Sequence, residues 1–449
     1  MRSWAVFFFT KGHRMVSSVA RFLWGDVSRE EFKKFGLLSG VFFFIIGTYW
    51  LMRSLKDAIF LNTVGPLYLP YAKIVSVIAL ILVLMVYAKL VDWLEKHRLV
   101  YLLCTIYSVL FLSIAYCVAS PTIGLANTVT DKYRLLGWVA YFVIESAGTL
   151  LVALFWSFVA SSVDPISAKR GYPIIIAGAQ TGSILGAYLA SCAGYFGIAT
   201  LVLMGGISLI IVPGMIKLFM HHHPDAPAQK SVAKKQTGAL EGLRLLLSKP
   251  YLMGILVVGT VYEIVGEILN LQMKLTAHSV YPSPEKLAGF LGTFGVAVNL
   301  LALVFAFVGT SFFIRRFGIT FCLVMFPVTI ACAIMLAWTF NGLWFFFGAM
   351  VALKGISYAL NNPCKELMYI PTSKDIKFKA KSWMDGFGSR SSKAIGAGAI
   401  AVFPAVSSFI SLISYGSVVS LGIIAAWIPV ALFVGRTNSK LVQENRIIE

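Results

Sequence analysis

Apolar runs long enough to cross a bilayer follow one another along the whole chain, separated by short polar loops. A hydrocarbon core of about 30 Å needs roughly 20 residues of helix. Runs of that length fall near residues 36–56, 67–91, 99–119, 135–163, 173–193, 197–219, 251–272, 287–314, 319–340, 343–361, 388–410 and 417–435. The pattern predicts an all-α polytopic membrane protein with twelve transmembrane helices. The longest polar interruption, 220–250 with HHHPDAPAQKSVAKKQ, follows the sixth run and divides the chain six and six. The expected segments are an N-terminal stretch 1–35, a six-helix bundle 36–219, a linker 220–250, a second bundle 251–435 and a tail 436–449.

Composition agrees with the pattern. The 449 residues are 58% hydrophobic and 13% charged, with mean hydropathy +0.82, which excludes an ordinary soluble globular protein. The net charge of +19 is distributed as a topology signal. Basic residues follow the even-numbered runs, in DWLEKHR, in DPISAKRGYP, at Lys230, Lys234, Lys235, Arg244 and Lys249, at Arg315-Arg316, and at Lys365, Lys374, Lys377, Lys379 and Lys381. The loops after the fifth, ninth and eleventh runs carry neither Lys nor Arg. Both termini and the linker are therefore expected in the cytoplasm. Scattered loop charges do not make a nucleic-acid-binding domain.

The six cysteines form no CxxC, and five lie in apolar runs, so they read as small core residues. His221-His222-His223 reads as part of a solvated loop, and no metal site is expected. The N-terminal apolar patch, in MRSWAVFFFTKGHRMV, is too short to span and lacks a cleavage site. The stretch to Lys34 is expected along the membrane surface. No Walker motif, HExxH or triad order is present, so no enzyme and no cofactor are expected.

An ionisable side chain near the middle of a lipid-facing helix costs about 2.5–3.5 kcal/mol on insertion scales. Several runs carry them nonetheless. Arg53, Lys56 and Asp57 lie towards the end of the first, and Glu145 lies in the fourth. Glu263, Glu267 and Lys274 lie in the seventh, Lys354 in the tenth, and Arg390 and Lys393 at the start of the eleventh. Lys73, Lys89 and Lys217 are close enough to run ends to snorkel. The repetition of loop charges in the two halves resembles the major-facilitator architecture, in which the first, fourth, seventh and tenth helices line a central cavity. The embedded charges fall on those four runs and on the eleventh.

Within the first run, Arg53 and Asp57 are four apart and are expected to bridge, leaving Lys56 unpaired in its own segment. Arg390 and Lys393, three apart, share a face. An excess of Lys and Arg in a water-filled pathway suits a polyanion: Arg offers bidentate contacts to phosphate and Lys a mobile point charge. The glutamates can pair with free lysines when the ligand is absent. Gly178, Gly182 and Gly186 recur every fourth residue in the fifth run, and the eleventh has Gly386, Gly388, Gly396 and Gly398; both patterns suit close helix packing.

Four ordered stretches carry a family resemblance. They are RSLKDAIF in the first run, SAKRGYPIIIAGAQTGSILG at 167–186, YPSPEKLAGFLGTFG at 281–295 and PCKELMYIPTSKDIKFKAKSWMDGFGSRSSKAIGAG at 363–398. The chain from about 36 to 435 resembles the ATP/ADP antiporters, the nucleotide transporter family of obligate intracellular bacteria and plastids. The resemblance implies functional charges at Lys56, Glu145, Glu267 and Lys393, with Glu263 a competing choice for the seventh run. Ser54, Ser357 and Asn362 stand where Asp, Lys and Asp are common in the family.

The expectation is a major-facilitator-like carrier with two pseudo-symmetric six-helix halves. It would exchange nucleotides by alternating access in a bacterial inner membrane and work as a monomer among its lipids. Lys56 and Lys393, helped by Arg53 and Arg390, would meet the phosphates of ATP or ADP. Glu145 and Glu267 would pair with these bases or orient the nucleotide, and Asp57, Glu263, Lys274 and Lys354 are further candidates. Two alternatives stay open: a proton-coupled importer of nucleotides or other organic phosphates, with Glu145 or Glu267 as proton carrier, and a non-transporting receptor or lipid-handling protein on the same scaffold.

Overall fold

In a computed structural model, residues 28–223, 239–308, 310–373, 376, 380–381, 383–384, 388–402 and 409–448 are described. The first 27 residues, linker residues 224–238 with Lys230, Lys234 and Lys235, and Lys374, Lys377, Lys379 and Gly386 lie outside them.

Twelve helices carry the architecture among the described residues. The N-terminal half comprises α1 (Arg29–Thr63), α2 (Leu69–Trp93), α3 (Lys96–Ala119), α4 (Leu135–Ser162), α5 (Pro165–Ser191) and α6 (Ile198–His222). The C-terminal half comprises α7 (Pro250–Val280), α8 (Pro284–Val308), α9 (Thr310–Phe340), α10 (Leu343–Ile356), α11 (Ser389–Ala401) and α12 (Phe409–Gln443). Ten of these are long and apolar enough to cross a membrane, and α10 and α11 are shorter. Successive helices reverse direction, so α1 begins and α12 ends at one end of the bundle, here the terminal end; the other is the far end.

Local chemistry sets the helix limits. The Ser28 hydroxyl accepts from the Glu31 N–H at 3.1 Å, and the Glu31 carboxylate accepts from the Ser28 N–H at 3.0 Å, a reciprocal cap that starts α1 at Arg29. The expected surface segment therefore gives way to helix before residue 35. At the other end α1 runs on past residue 56 to Thr63. Gly65, at φ +107°, and Pro66 turn the chain there.

The expected tenth span is one run, 343–361, but it divides. After Ile356 comes a wide π-helical turn, Ser357–Asn361, and then a short helix, Asn362–Met368. Pro363 has no N–H to donate to the carbonyl four residues earlier, which accounts for the loosened turn. Gly318, at φ +78°, breaks α9 at the point where the ninth span was expected to begin. In the linker, Ala239–Ser248 is helical. Most of the expected tail is helix too, and its last residues fold back: the Ile448 N–H donates to the Pro371 carbonyl at 3.0 Å, and the Ser373 N–H to the Ile448 carbonyl at 2.9 Å.

The glycine ladder of α5 lies against α1. A Cβ at Gly178, Gly182 or Gly186 would come within 2.6 Å of the Ser39, Phe43 and Gly47 carbonyl oxygens respectively. At Gly182 and Gly186 backbone meets backbone, and beside Gly178 the Ser39 hydroxyl donates to the Ile174 carbonyl at 2.8 Å. Gly396 plays the matching part in the other half, where α11 meets the Ile264 carbonyl of α7.

The two halves meet along α5 with α8 and α2 with α11. At the far end these seams are closed. Gly292 lies against the Ser191 backbone, Gly295 against Ala187, and the Tyr71 hydroxyl donates to the Ala401 carbonyl at 3.3 Å. Towards the terminal end both seams open into cavities.

Gly182→Leu is expected to lower stability by about 1–3 kcal/mol, the range for overpacking a close contact. Gly214→Ala, whose Cβ would meet nothing within 4 Å, should be close to neutral. Thermal unfolding in detergent, followed by size exclusion, checks the pair.

Candidate functional site

Between the halves lies a cavity lined from α1, α2, α4, α7, α8, α10, the π-helical turn after it, and α11. An adjoining recess between α2, α4 and α11 shares Tyr49, Lys73, Glu145 and Lys393 with it and adds Arg390. Every candidate residue named from the sequence lies here except Asp57, which sits directly behind Lys274.

The charges are largely, but not fully, paired. Lys56, 2% exposed, donates to the Glu145 carboxylate and lies 4.1 Å above the Tyr141 ring. Lys274 meets Asp57 at 2.7 Å, both nearly sealed from solvent. Lys73 meets Glu267 at 3.3 Å, and the Asn270 amide donates to the same carboxylate at 3.4 Å. Lys393 approaches Glu263 more loosely at 3.8 Å, and the Ser389 hydroxyl donates to Glu263 at 3.1 Å.

Three cations find no carboxylate within 4 Å among the described residues. Arg53 lies over the Trp50 ring at 5.1 Å and donates to the Tyr49 hydroxyl at 3.4 Å. Lys354 donates to the Tyr262 hydroxyl at 3.4 Å. Arg390 faces the recess, half-buried. Around the cavity, seven bases stand against four carboxylates, counting Asp57. Aromatic rings and hydroxyls hold Arg53 and Lys354 in place without neutralising them.

Two expectations need correction. The Arg53–Asp57 bridge does not form. Asp57 points into the contact with α7, where Lys274 answers it, whereas Arg53 turns to Trp50 and Tyr49. An i,i+4 pair contributes only about 0.3–0.5 kcal/mol, too little to hold Asp57 back from a buried cation that would otherwise stand alone. Lys73 does not snorkel. It points inward, its side chain 13% exposed, and becomes part of the cavity wall. Its signal was available: it lies one helical turn inside α2, at a depth comparable to that of Asp57 in α1. The uncharged lining residues Trp50, Tyr262, Asn270 and Tyr358 were not singled out, because aromatic and amide residues in an apolar run look like packing.

The pairs have a geometric division of labour. Asp57–Lys274 and Lys73–Glu267 each join one half to the other, near the closed far end. Lys56–Glu145 lies within the N-terminal half and Lys393–Glu263 within the C-terminal half, both on the cavity wall. In the first of these the carboxylate is the accessible partner: Glu145 is 36% exposed and Lys56 only 3%.

Two pseudo-symmetric six-helix halves enclosing a charged central cavity define a carrier of the major-facilitator fold. Solved structures of that fold superimpose on the chain. The bacterial homologue of the iron transporter ferroportin, in its inward-facing state, gives a TM-score of 0.65 at 13% identity, over 89% of this chain and 98% of that one. The nucleoside transporter NupG gives 0.61 at 13% identity, over 89% and 98%.

The chain belongs to the TLC ATP/ADP transporter family, which matches residues 9–353 and 333–437. ADP,ATP carrier protein 3 of Rickettsia bellii is 22% identical over 91% of this chain and 95% of its own length. The chloroplastic ADP,ATP carrier protein 2 of Arabidopsis thaliana is 25% identical over 97% of this chain and 79% of its own. The family resemblance carried by the four sequence stretches thus extends along the chain, and the family is one of transporters rather than enzymes.

Asp57→Asn is expected to destabilise the protein by about 3–5 kcal/mol, because it strands Lys274 in a buried site. Adding Lys274→Met should restore most of that loss. A double-mutant cycle on thermal stability checks it, and additive effects would show that the two groups are not coupled.

Proposed function

We propose that this chain is a membrane carrier that exchanges adenine nucleotides by alternating access. The observation that carries the reading is the surplus of cations in a cavity between two rockable halves: Arg53 and Lys354, held on aromatic and hydroxyl groups, and Arg390, which faces the adjoining recess. A permanent structural network would neutralise its charges internally, since an uncompensated buried charge costs several kcal/mol. Here a multiply charged anion supplies what the protein lacks.

The pairs suggest a sequence of events. A polyphosphate entering from the open end meets Arg390, Lys393, Arg53 and Lys354 first. Lys393 is accessible at once, its side chain 42% exposed. Lys56 becomes available when Glu145, the exposed partner, swings aside. Glu145 and Glu263 are thus resident counterions that the substrate displaces. Glu267 and Asp57 hold Lys73 and Lys274 in the far-end seam, which must part for release on that side. Both seventh-helix glutamates take part in this scheme, Glu263 in the cavity and Glu267 in the latch. With Arg53, Lys354 and Arg390 left without a counter-charge and no anion bound, the empty carrier reorients poorly, which enforces exchange.

In this reading the terminal end faces the cytoplasm of a bacterial inner membrane, as the basic loops require, so the structure is open inward. A single chain completes the cavity, which favours a working monomer surrounded by lipid, with no nucleic-acid partner.

Proteoliposomes loaded with unlabelled ADP should accumulate labelled ATP, and preloaded labelled ATP should leave only when external nucleotide is added. Free efflux contradicts exchange. Uptake that collapses with a protonophore and needs no internal nucleotide would instead establish the proton-coupled importer.

Lys56→Gln and Lys393→Gln should each cut exchange by about tenfold or more, equivalent to about 1.4 kcal/mol of lost interaction. Lys89→Gln should leave it within about twofold. Initial-rate uptake at matched protein levels checks the set.

A further inference from the structure

A third cavity lies beside the basic one, between α1, α5, α8 and the π-helical turn after α10. It shares Trp50 and Tyr358 with the basic cavity, so the two adjoin and differ in character. The basic cavity carries the charges. This side pocket carries none: its walls are Phe42, Ile46, Trp50 and Tyr358, and its polar groups come chiefly from Gln180 and Asn299.

The Gln180 amide has a fixed orientation. Its Nε2 donates to the Asn299 backbone carbonyl across the seam between halves, at 2.8 Å. Only the NH₂ group can donate to a carbonyl, so the amide oxygen is left at the other edge of the group. That oxygen accepts no hydrogen bond from the described residues, in a half-buried side chain on the pocket wall. Asn299 is itself occupied, its amide donating to the Gly295 carbonyl at 2.9 Å. The pocket therefore offers flat aromatic surface together with oriented amide oxygens, of which that of Gln180 belongs to the more exposed side chain.

We propose that this side pocket is the nucleobase subsite, and that Gln180 selects bases bearing an exocyclic amine next to an aromatic ring face, adenine first among them. The inference rests on the nucleotide-carrier reading and deepens it. Phosphates need cations and bases need ring faces with a directed hydrogen bond. An amide is a recurrent partner for the amino group of adenine, and aromatic side chains stack on bases of any kind. A 6-oxo purine turns its carbonyl towards the Gln180 oxygen and is disfavoured. Because the same amide spans α5 and α8, a base bound here also bears on the seam whose opening reorients the carrier.

The test compares the purified full-length carrier with Gln180→Leu and Ala302→Phe, the second of which narrows the pocket from α8 without touching the basic residues. The readouts are competition of labelled ATP uptake by ATP and by ITP, and thermal protection by ATP and by inorganic tripolyphosphate. In Gln180→Leu, the preference for ATP over ITP should fall about tenfold while tripolyphosphate protection stays within twofold. In Ala302→Phe, ATP protection should fall about tenfold with tripolyphosphate again unchanged. An unchanged ATP/ITP ratio in Gln180→Leu overturns the proposal. So does full ATP protection in Ala302→Phe, including the case in which that variant loses only co-purified lipid and the pocket is an acyl-chain seat. If the unmodified carrier is protected by tripolyphosphate but takes up no nucleotide, the carrier reading fails instead.

Discussion

Charged groups in the middle of a bilayer must find partners, and in this protein they find them across helices that lie far apart in sequence. Asp57 reaches Lys274, Lys73 reaches Glu267, and Lys56 reaches Glu145. Coulombic attraction is strong where water is excluded, and so is the penalty for leaving any of these groups alone. The pairs therefore do more than decorate a cavity. They fix which faces of α1, α2, α4 and α7 turn inward, and they tie the halves together at one end while leaving the other end parted.

Packing and electrostatics are separated in space. Close backbone contact of α1 with α5 at Gly182 and Gly186 holds the first half together, and Gly396 allows α11 the same approach to α7. With the helices held by close van der Waals fit, the charged faces are free to serve the aqueous centre. A rigid half with a wet face is what a rocking mechanism requires, because the halves must move as bodies while their internal contacts persist.

Much of this was legible in the sequence. Twelve apolar runs, a central polar break and basic loops on alternate sides lead to the fold, because bilayer thickness and backbone hydrogen bonding leave a hydrophobic segment few choices. The embedded charges led to the cavity for the same reason. What the sequence hid was partnership. Arg53 and Asp57 sit at helical spacing, and only the placement of α7 reveals that Lys274 takes the carboxylate. Lys73 looked peripheral because distance to a helix end is visible in sequence and the direction of a side chain is not. The π-helical turn, which brings Ser357, Tyr358 and Asn362 to the cavity, was masked by an unbroken apolar run, although Pro363 was its marker. Gln180 and Asn299 were silent because an amide in a span carries no charge to draw the eye.

The returning C-terminal residues have a consequence for handling and for evolution. Ile448 is bonded on both sides to the segment Pro371–Ser373 that leaves the short helix after α10. That clasp closes α11 and α12 into a loop without a covalent link. Anything fused to the last residue, whether a purification handle or a reporter, would hang from the same strand of chain that leads to Arg390 and Lys393. Length changes in the connection between α10 and α11 are constrained from both of its ends.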